Sequence, residues 1–505
     1  MPWSLTRNAA ARCVPVLCVV AIATVANTLL AAPAPNLTAL VKQGARVSAF
    51  AVNLRTGETL LDLNASDRLT PASVTKTVLA AHALERFGSE STFKSRLFRR
   101  GALVGDQLKG DLVFVGAGDP SLTNEKLWFL TTDVARVGIR EITGDIVLNT
   151  ALFGLERADA NRLAGQHAST HAYDSPLSAA AVNFSVLAVV ASPGKAPGIP
   201  GRVALEPYDL ENVRLTGRVN TGSGNRLAAS RVDKGSYDAV VASGTVASSA
   251  FPQRVYRSVS DADAYTAATL RAFLAAAGVR VRGKWKVERA SPVLSGAGAL
   301  APVAEVEGFP LDWQLRGLFK MSNNFIADML TIQLDLAEHA KKSGGTLSGG
   351  ADALQDYARA ALLESRFKGG ANPSGLLIES GSGLTPANRM SARDVVAILD
   401  RMNANAREFP SFLAALPIAG SEGTVKRRFD TDDTRHLRDT VRAKTGTLTE
   451  PIDAVGLAGY SRTKSGDWVA FCTLVNGSSR VPTLGVDRIR DAIDADLAVL
   501  LPPEN

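Results

Sequence analysis

Cysteine is scarce in this 505-residue chain. There are three, and two of them, Cys13 and Cys18, stand in an apolar N-terminal stretch. If that stretch is removed as a leader, Cys472 is left alone and no intramolecular disulfide can form, whatever the compartment. Cys472 lies between Phe471 and Thr473 in an apolar strand pattern and reads as a small buried core residue. Histidine is nearly as rare, at His82, His167, His171, His339 and His436. His167 and His171 have i,i+4 spacing but no convincing third ligand. They read as surface residues rather than a zinc site, and no metal or other cofactor is expected. Aromatic residues make up 6% of the chain, and no basic stripe carries interleaved aromatics, so nucleic acid is not an expected partner. No regular repeat and no low-complexity tract is present.

What is there is enough apolar residue for substantial cores, at 46% hydrophobic and 21% charged. The length calls for two to four domains. The excess of 56 basic over 49 acidic residues favours, mildly, an anionic polymer or surface. Arg7 and Arg12 precede an apolar stretch from Val14 to about Ala32, with small residues at Ala23, Ala26, Ala31, Ala32 and Ala34. This reads as a cleaved export signal. Pro15, Asn27 and Thr28 weaken the alternative of an uncleaved anchor. Leu17 is larger than a lipobox at Cys18 favours.

Val47–Asn53 and Glu58–Leu63 read as a hairpin turning at Thr56-Gly57, and a helix runs from Ser73 to Phe87 before Gly88. Residues 96 to 300 change texture, with short strand patterns such as Gly110–Phe114, Ile142–Leu148 and Val203–Leu205. A helix is expected over Asp261–Ala277 and a loop over the glycine-rich Gly217–Asn225. Helical periodicity covers Leu311–Leu336, Ala351–Leu363 and Ser391–Met402. Strands Val455–Tyr460 and Trp468–Asn476 and a helix over Val486–Leu500 close the chain. A hairpin-helix start and a strand-strand-helix finish suggest one domain split by a long insertion.

Ser73 and Lys76 share one helix face, one turn apart, in Pro71-Ala72-Ser73-Val74-Thr75-Lys76. A serine hydroxyl is a poor nucleophile until a base takes its proton, and an uncharged lysine can be that base. Neutrality near pH 7 requires lowering the lysine pKa from ~10.4, at about 4 kcal/mol against the charged form. A second pattern, Ser322-Asn323-Asn324, opens an amphipathic helix. Its hydroxyl can relay protons and its amide can bind a carbonyl or the lysine, although Ser and Asn are also ordinary N-caps. Ser223-Gly224-Asn225 repeats the pattern in a glycine-rich stretch. The third is Lys444-Thr445-Gly446, ahead of the closing hairpin. Here a lysine supplies positive charge, and Gly446 lets a substrate backbone approach. Lys342-Ser343-Gly344 and Lys464-Ser465-Gly466 read better as solvated turns.

Ser-x-x-Lys, Ser-x-Asn and Lys-Thr-Gly in this order are the signature of penicillin-recognising serine enzymes. The chain resembles the class C low-molecular-mass penicillin-binding proteins, the D-alanyl-D-alanine carboxypeptidase/endopeptidase family, over essentially its whole mature length. Supporting segments are Gly116–Leu122, Ser175–Ser178 with Val182-Asn183-Phe184, Ser380–Leu384 and Leu416–Gly420. The resemblance implies an α/β fold. Its core is a serine β-lactamase/transpeptidase-like domain, an antiparallel sheet flanked by helices, with a large β-rich insertion of one or two nested domains. The expected division is a signal peptide over 1–32, a transpeptidase-like domain over 33–95 and 305–505, an inserted domain over 96–185 and 251–304, and a nested domain over 186–250.

The resemblance implies acyl transfer through Ser73, with Lys76 as base, Ser322 relaying the proton to the leaving amine, and Asn324 holding Lys76 and the substrate. Lys444 and Thr445 bind the terminal carboxylate. Backbone N–H groups of Ser73 and Thr447 form the oxyanion hole, each worth about 3 kcal/mol. Expected partners are peptidoglycan stem peptides and β-lactams, the latter as covalent inhibitors, since no counterpart of the class A deacylating glutamate loop is found. Peripheral membrane association, a homodimer and a periplasmic or extracytoplasmic location complete the expectation. Two departures touch specificity: Thr385-Pro386 after Ser380–Leu384 where the family has Ser-Arg, and Thr447-Leu448-Thr449 where Ser-Leu-Gln is common. A β-lactamase or esterase on the same core, and a non-catalytic wall-binding module, are the competing readings.

Overall fold

The computed structural model describes residues 34–503 apart from 155–168, 297, 340–343, 368, 370 and 371. The expected leader, with Cys13 and Cys18, lies outside the described residues, as do His167 and the Lys342-Ser343 pair. After α1 (Pro35–Lys42), the hairpin β1 (Arg46–Asn53) and β2 (Thr59–Leu63) leads to a 3-10 turn at Ala72–Thr75 and α2 (Lys76–Phe87). There follow β3 (Lys94–Val104), β4 (Gln107–Val115), α3 (Asn124–Arg136), β5 (Glu141–Ile142) and β6 (Ile146–Asn149). Then come β7 (Val186–Ser192), β8 (Arg202–Glu206), β9 (Val213–Gly222), β10 (Arg226–Asp233), β11 (Asp238–Ala247) and β12 (Gln253–Ser258). Next are α4 (Ala262–Ala276), β13 (Arg280–Val281), β14 (Trp285–Glu288) and β15 (Ala301–Glu307). The chain closes with α5 (Leu311–Lys320), α6 (Asn324–His339), α7 (Leu347–Glu364), α8 (Ala392–Ala404), α9 (Phe409–Ala415), β16 (Arg442–Leu448), β17 (Ala454–Arg462), β18 (Trp468–Asn476) and α10 (Val486–Leu500).

The two ends of the chain build one five-stranded antiparallel sheet, ordered β16-β17-β18-β1-β2. Its central strands are buried on both faces, which is why Ala454–Arg462 and Trp468–Asn476 read as near-continuous apolar runs rather than alternating ones. Leu37, Leu40, Ile489, Ile493 and Leu497 of α1 and α10 cover one face. Val78, Leu79, Leu330 and Val395 of α2, α6 and α8 belong to the core on the other. Cys472 sits in that second core, fully buried, opposite Phe50 and Ala458. The α8 helix starts where its sequence says it should: Ser391 and Asp394 cap each other's backbone.

The strands between β3 and β15 pair only among themselves, as one seven-stranded sheet and two three-stranded sheets. Asp119, in the Gly116–Leu122 segment, fastens this region to the point where the chain returns. Its Oδ1 accepts from Ser121 N and Oγ, and Ser121 Oγ accepts from Phe309 N at 2.8 Å. Gly308 leaves room for the buried carboxyl, since a Cβ there would lie 2.3 Å from Asp119 Oδ2. Burial pushes that carboxyl up to about 6.

Three sequence expectations change. The loop expected over Gly217–Asn225 is mostly strand: β9 runs to Gly222, and Gly217 is glycine because a Cβ would lie 2.0 Å from Ala242 O. The strand expected over Ile142–Leu148 is two, broken at Thr143-Gly144-Asp145, where Gly144 meets the Gly110 backbone. The helix expected from Ser73 begins at Lys76, and Ser73 itself lies in the 3-10 turn Ala72–Thr75. The start expected at Ser322-Asn323-Asn324 is present: Ser322, at a left-handed φ of +52° that no α-helix accommodates, separates α5 from α6.

Gly446 makes a close approach within the chain: a Cβ there would stand 2.5 Å from the Pro71 carbonyl oxygen, with Ala72 and Val74 at 3.2 Å. The glycine seats the Ser73 turn on β16. Gly446→Ala is expected to cost about 1–3 kcal/mol by forcing the two apart, read as a lowered Tm in thermal unfolding. An unchanged Tm would mean that this contact is loose.

Candidate active site

The Ser73 turn is strained and held. Ala72 has a φ of +48°, a left-handed conformation that persists in a non-glycine residue only where its surroundings enforce it. Here the Ala72 carbonyl accepts from Thr75 Oγ1 at 2.9 Å. Gly383, at φ +72°, lies so close that a Cβ would stand 2.1 Å from Ala72 O. Asn388 ties the same loop to the same turn, donating to Thr75 Oγ1 at 3.1 Å and to Ser380 O at 2.9 Å. The result leaves Ser73 half-buried and Lys76 wholly buried.

Lys76 Nζ meets three oxygens: Ser73 Oγ at 3.1 Å, Asn324 Oδ1 at 2.8 Å and the Ser382 carbonyl at 2.5 Å. An ammonium has three donors and fills all three. A neutral amine has two N–H groups and a lone pair. The Asn324 and Ser382 oxygens can only accept, so they take the two N–H groups. The lone pair is then left to Ser73, the one partner of the three with a proton to give. Asn324 cannot turn its amide round at no cost, because its Nδ2 donates to the Tyr173 carbonyl at 3.1 Å.

The Ser-x-Asn pattern divides its labour. Asn323 caps α6, accepting from Ile326 N through Oδ1 at 3.0 Å. That leaves Asn324, buried on the first turn, for Lys76, and the left-handed Ser322 for the cavity in front of Ser73.

Lys444 is the second fully buried amine, donating to Thr445 O at 2.6 Å. Burial first, and the charge of Lys76 second, hold its pKa well below the ordinary lysine value. Repulsion between two buried ammonium groups is mutual, so the pair gives up its first proton more readily than an exposed lysine. The edge strand β16 presents the rest. Ala443 N points away from β17, to Pro417 O at 3.1 Å. Amides alternate along an antiparallel strand, so those of Thr445 and Thr447 face the same open edge. The cavity at that edge is about 640 Å³, and Ser73, Ser322, Thr424, Thr445 and Thr447 line it. A larger cavity of about 740 Å³, walled by Glu85, Glu364, Arg401 and Glu408, contains none of the motif residues.

The structure thus gathers Ser73, Lys76, Ser322, Asn324, Lys444, Thr445 and Thr447, and turns Gly446 inward. Sequence reading missed the Ser382 carbonyl, the Tyr173 carbonyl and the Asn388 tether. Backbone carbonyls have no residue-type signature, so the one available signal was the Ser380–Leu384 segment itself. The look-alike patterns fall elsewhere: Ser223–Asn225 in the β9–β10 connection and Lys464–Gly466 in the β17–β18 turn. His82 stacks on Tyr357 at 4.6 Å, with its pKa pushed down by burial, and His171 stacks on Tyr173 at 5.1 Å. Among the described residues, no group of three or more His, Cys, Asp or Glu side chains can hold a metal ion.

The model of the D-Ala-D-Ala carboxypeptidase 3 (S13) family matches residues 34–499. The chain is 25% identical over 446 residues to the D-alanyl-D-alanine carboxypeptidase DacB of Haemophilus influenzae, covering 88% of each protein. It is 29% identical over 474 residues to the D-alanyl-D-alanine carboxypeptidase of Actinomadura sp. (strain R39), covering 90% of this chain and 82% of that one. In fold it is similar to the crystal structure of penicillin binding protein 4 from Haemophilus influenzae, with a TM-score of 0.72 at 24% identity over 93% of this chain and 100% of that one. The same protein complexed with a β-lactam gives a TM-score of 0.68 at 22% identity, with the same coverage. The chain belongs to the D-Ala-D-Ala carboxypeptidase 3 (S13) family and is a serine-type D-Ala-D-Ala carboxypeptidase.

Proposed function

We propose that Ser73 is the nucleophile and Lys76 its base, acting on the D-Ala-D-Ala end of peptidoglycan stem peptides. The observation that carries this is the triple contact of Lys76 Nζ with Ser73 Oγ, Asn324 Oδ1 and Ser382 O. The neutral amine takes the hydroxyl proton as Ser73 Oγ bonds to the carbonyl carbon. The developing oxyanion sits between the backbone amides of Ser73 and Thr447. Ser322 passes the proton to the nitrogen of the terminal D-alanine, the C–N bond breaks, and water later hydrolyses the ester on Ser73. Thr445, with the charge of Lys444 behind it, holds the terminal carboxylate, and that anion in turn favours the protonated form of Lys444. β-Lactams enter the same route through their strained amide and remain as the ester.

The wider reading is a wall enzyme exported to the periplasm or another extracytoplasmic space, with peptidoglycan as partner, peripheral membrane association and a homodimer. Its nested division is 33–95 with 305–505, 96–185 with 251–304, and 186–250. The separate pairing of the β3–β15 strands supports an inserted region, while the pairing of β12 with β7 favours ending the nested part after Ser258 rather than at 250. Cross-link cleavage is a second activity of the same site.

Two experiments test the site. Labelled benzylpenicillin is expected to mark the wild type and not Ser73→Ala; equal labelling of both would remove Ser73 from its role. The pH profile of acylation tests the base. Its rate is expected to rise with pH and level off below the ordinary lysine range, because deprotonation creates the active form, and burial of the pair first and its mutual repulsion second make the first proton easier to lose. Lys444→Met removes one of the two repelling charges, so the rise should move to higher pH. A profile unmoved by that substitution would contradict the coupling.

A further inference from the structure

The cavity in front of Ser73, about 640 Å³, extends past the motif residues. That extension has a defined wall. It is the 3-10 turn Gly423–Val425 and the residues after it, Lys426, Arg427 and Arg428, faced by Asp487, Arg490, Asp491 and Asp494 of α10.

This turn is anchored at both ends. Lys320 at the end of α5 pairs with Glu422 at 2.9 Å, and Gly423 packs against the Lys320 carbonyl, which a Cβ would approach to 2.6 Å. Thr424 accepts from Thr445 Oγ1 at 2.7 Å. That bond sets the turn at the end of β16 assigned above to the terminal carboxylate, hence on the leaving-group side of the scissile bond.

The charges of the wall are not equivalent. Arg428 is buried and committed to Asp494, and Arg490 pairs with Asp487 at 3.0 Å. Lys426 and Arg427 are exposed, and no carboxylate among the described residues lies within ion-pair distance of either. Asp491 opposes an anion at the α10 side, so the wall is polarised, with its free cations on the turn.

We infer that Lys426 and Arg427 form a carboxylate subsite for a leaving group larger than D-alanine: the diamino acid residue at a cross-link, with the rest of the neighbouring stem peptide. This rests on the reading of Ser73 and Thr445 above. When a terminal D-alanine leaves, its only carboxylate is taken by Thr445. When a cross-link is cut, the departing strand carries further carboxylates past that point, where the two cations stand. The subsite favours cross-linked substrate over single stem peptides and leaves the bond-breaking chemistry unchanged.

The test compares kcat/KM of the full chain on a purified cross-linked disaccharide-peptide dimer with that on a soluble tripeptide ending in D-Ala-D-Ala. In the double variant K426Q/R427Q, the ratio of dimer to tripeptide is expected to fall about tenfold, the scale of two solvent-screened charge contacts. Added salt should lower the wild-type dimer rate more steeply than that of the variant. Equal losses on the two substrates, or an unchanged ratio, would overturn the subsite. If the double variant fails to take labelled penicillin, Lys426→Gln and Arg427→Gln singly must each lower the ratio; unchanged ratios in both would overturn it. A wild type that takes penicillin but does not cut the dimer overturns the subsite and leaves the acyl-enzyme reading standing. A wild type that takes no penicillin overturns that reading instead.

Discussion

Two lysine side chains buried in one protein interior are costly, and the rest of the site can be understood from that cost. Desolvation disfavours each charge, and each disfavours the other. The described hydrogen bonds bring neutral oxygens to both amines. Lys76 has Asn324 and Ser382 oxygens and Ser73, and Lys444 has the Thr445 carbonyl. Neutral acceptors can hold an amine in place without fixing its proton. A carboxylate at either position would relieve the cost and also lock the charge on. The arrangement keeps Lys76 aimed at Ser73 while leaving the proton removable.

Such a site needs a rigid frame, because the amine must face one hydroxyl and two carbonyls that come from distant parts of the chain. The frame is the sheet made by the two chain ends. Gly446 allows β16 to lie directly against Pro71, and Gly383 allows the Ser380–Leu384 loop to lie against Ala72. Both close contacts press on the turn that carries Ser73. The left-handed φ values at Ala72 and Ser322 are the local price of pointing two hydroxyls into one cavity. The inserted region takes part as well: the Tyr173 carbonyl, far from α6 in sequence, sets which side of the Asn324 amide faces Lys76.

The sequence made the sheet and the three motifs legible for different reasons. Continuous apolar runs identify β17 and β18, because both faces of those strands are buried. The motifs are legible because nucleophile, base and amide are particular side chains at fixed spacing. The sequence was least legible where backbone does the work. The 3-10 turn that carries Ser73 was hidden in a pattern that continues into α2. The strand at Gly217 looked like a loop, because glycine marks flexible turns and tight backbone packing alike. Gly446 shows the same limit: a missing Cβ shows that something comes close, without showing what. The Ser382 and Tyr173 carbonyls had no signature at all.

The central claim is that an uncharged amine stands beside Ser73 in the working enzyme. The most direct measurement is a pH titration of the lysine Cε signals by NMR in selectively labelled protein, assigned with Lys76→Arg and Lys444→Arg. The account predicts that the buried pair loses its first proton well below pH ~10.4, the range of an exposed lysine, and that with a carboxylate ligand held at Thr445 the signal that moves is that of Lys76. A pair that stays charged through that range, or a ligand-bound enzyme in which Lys444 alone loses its proton, would contradict it.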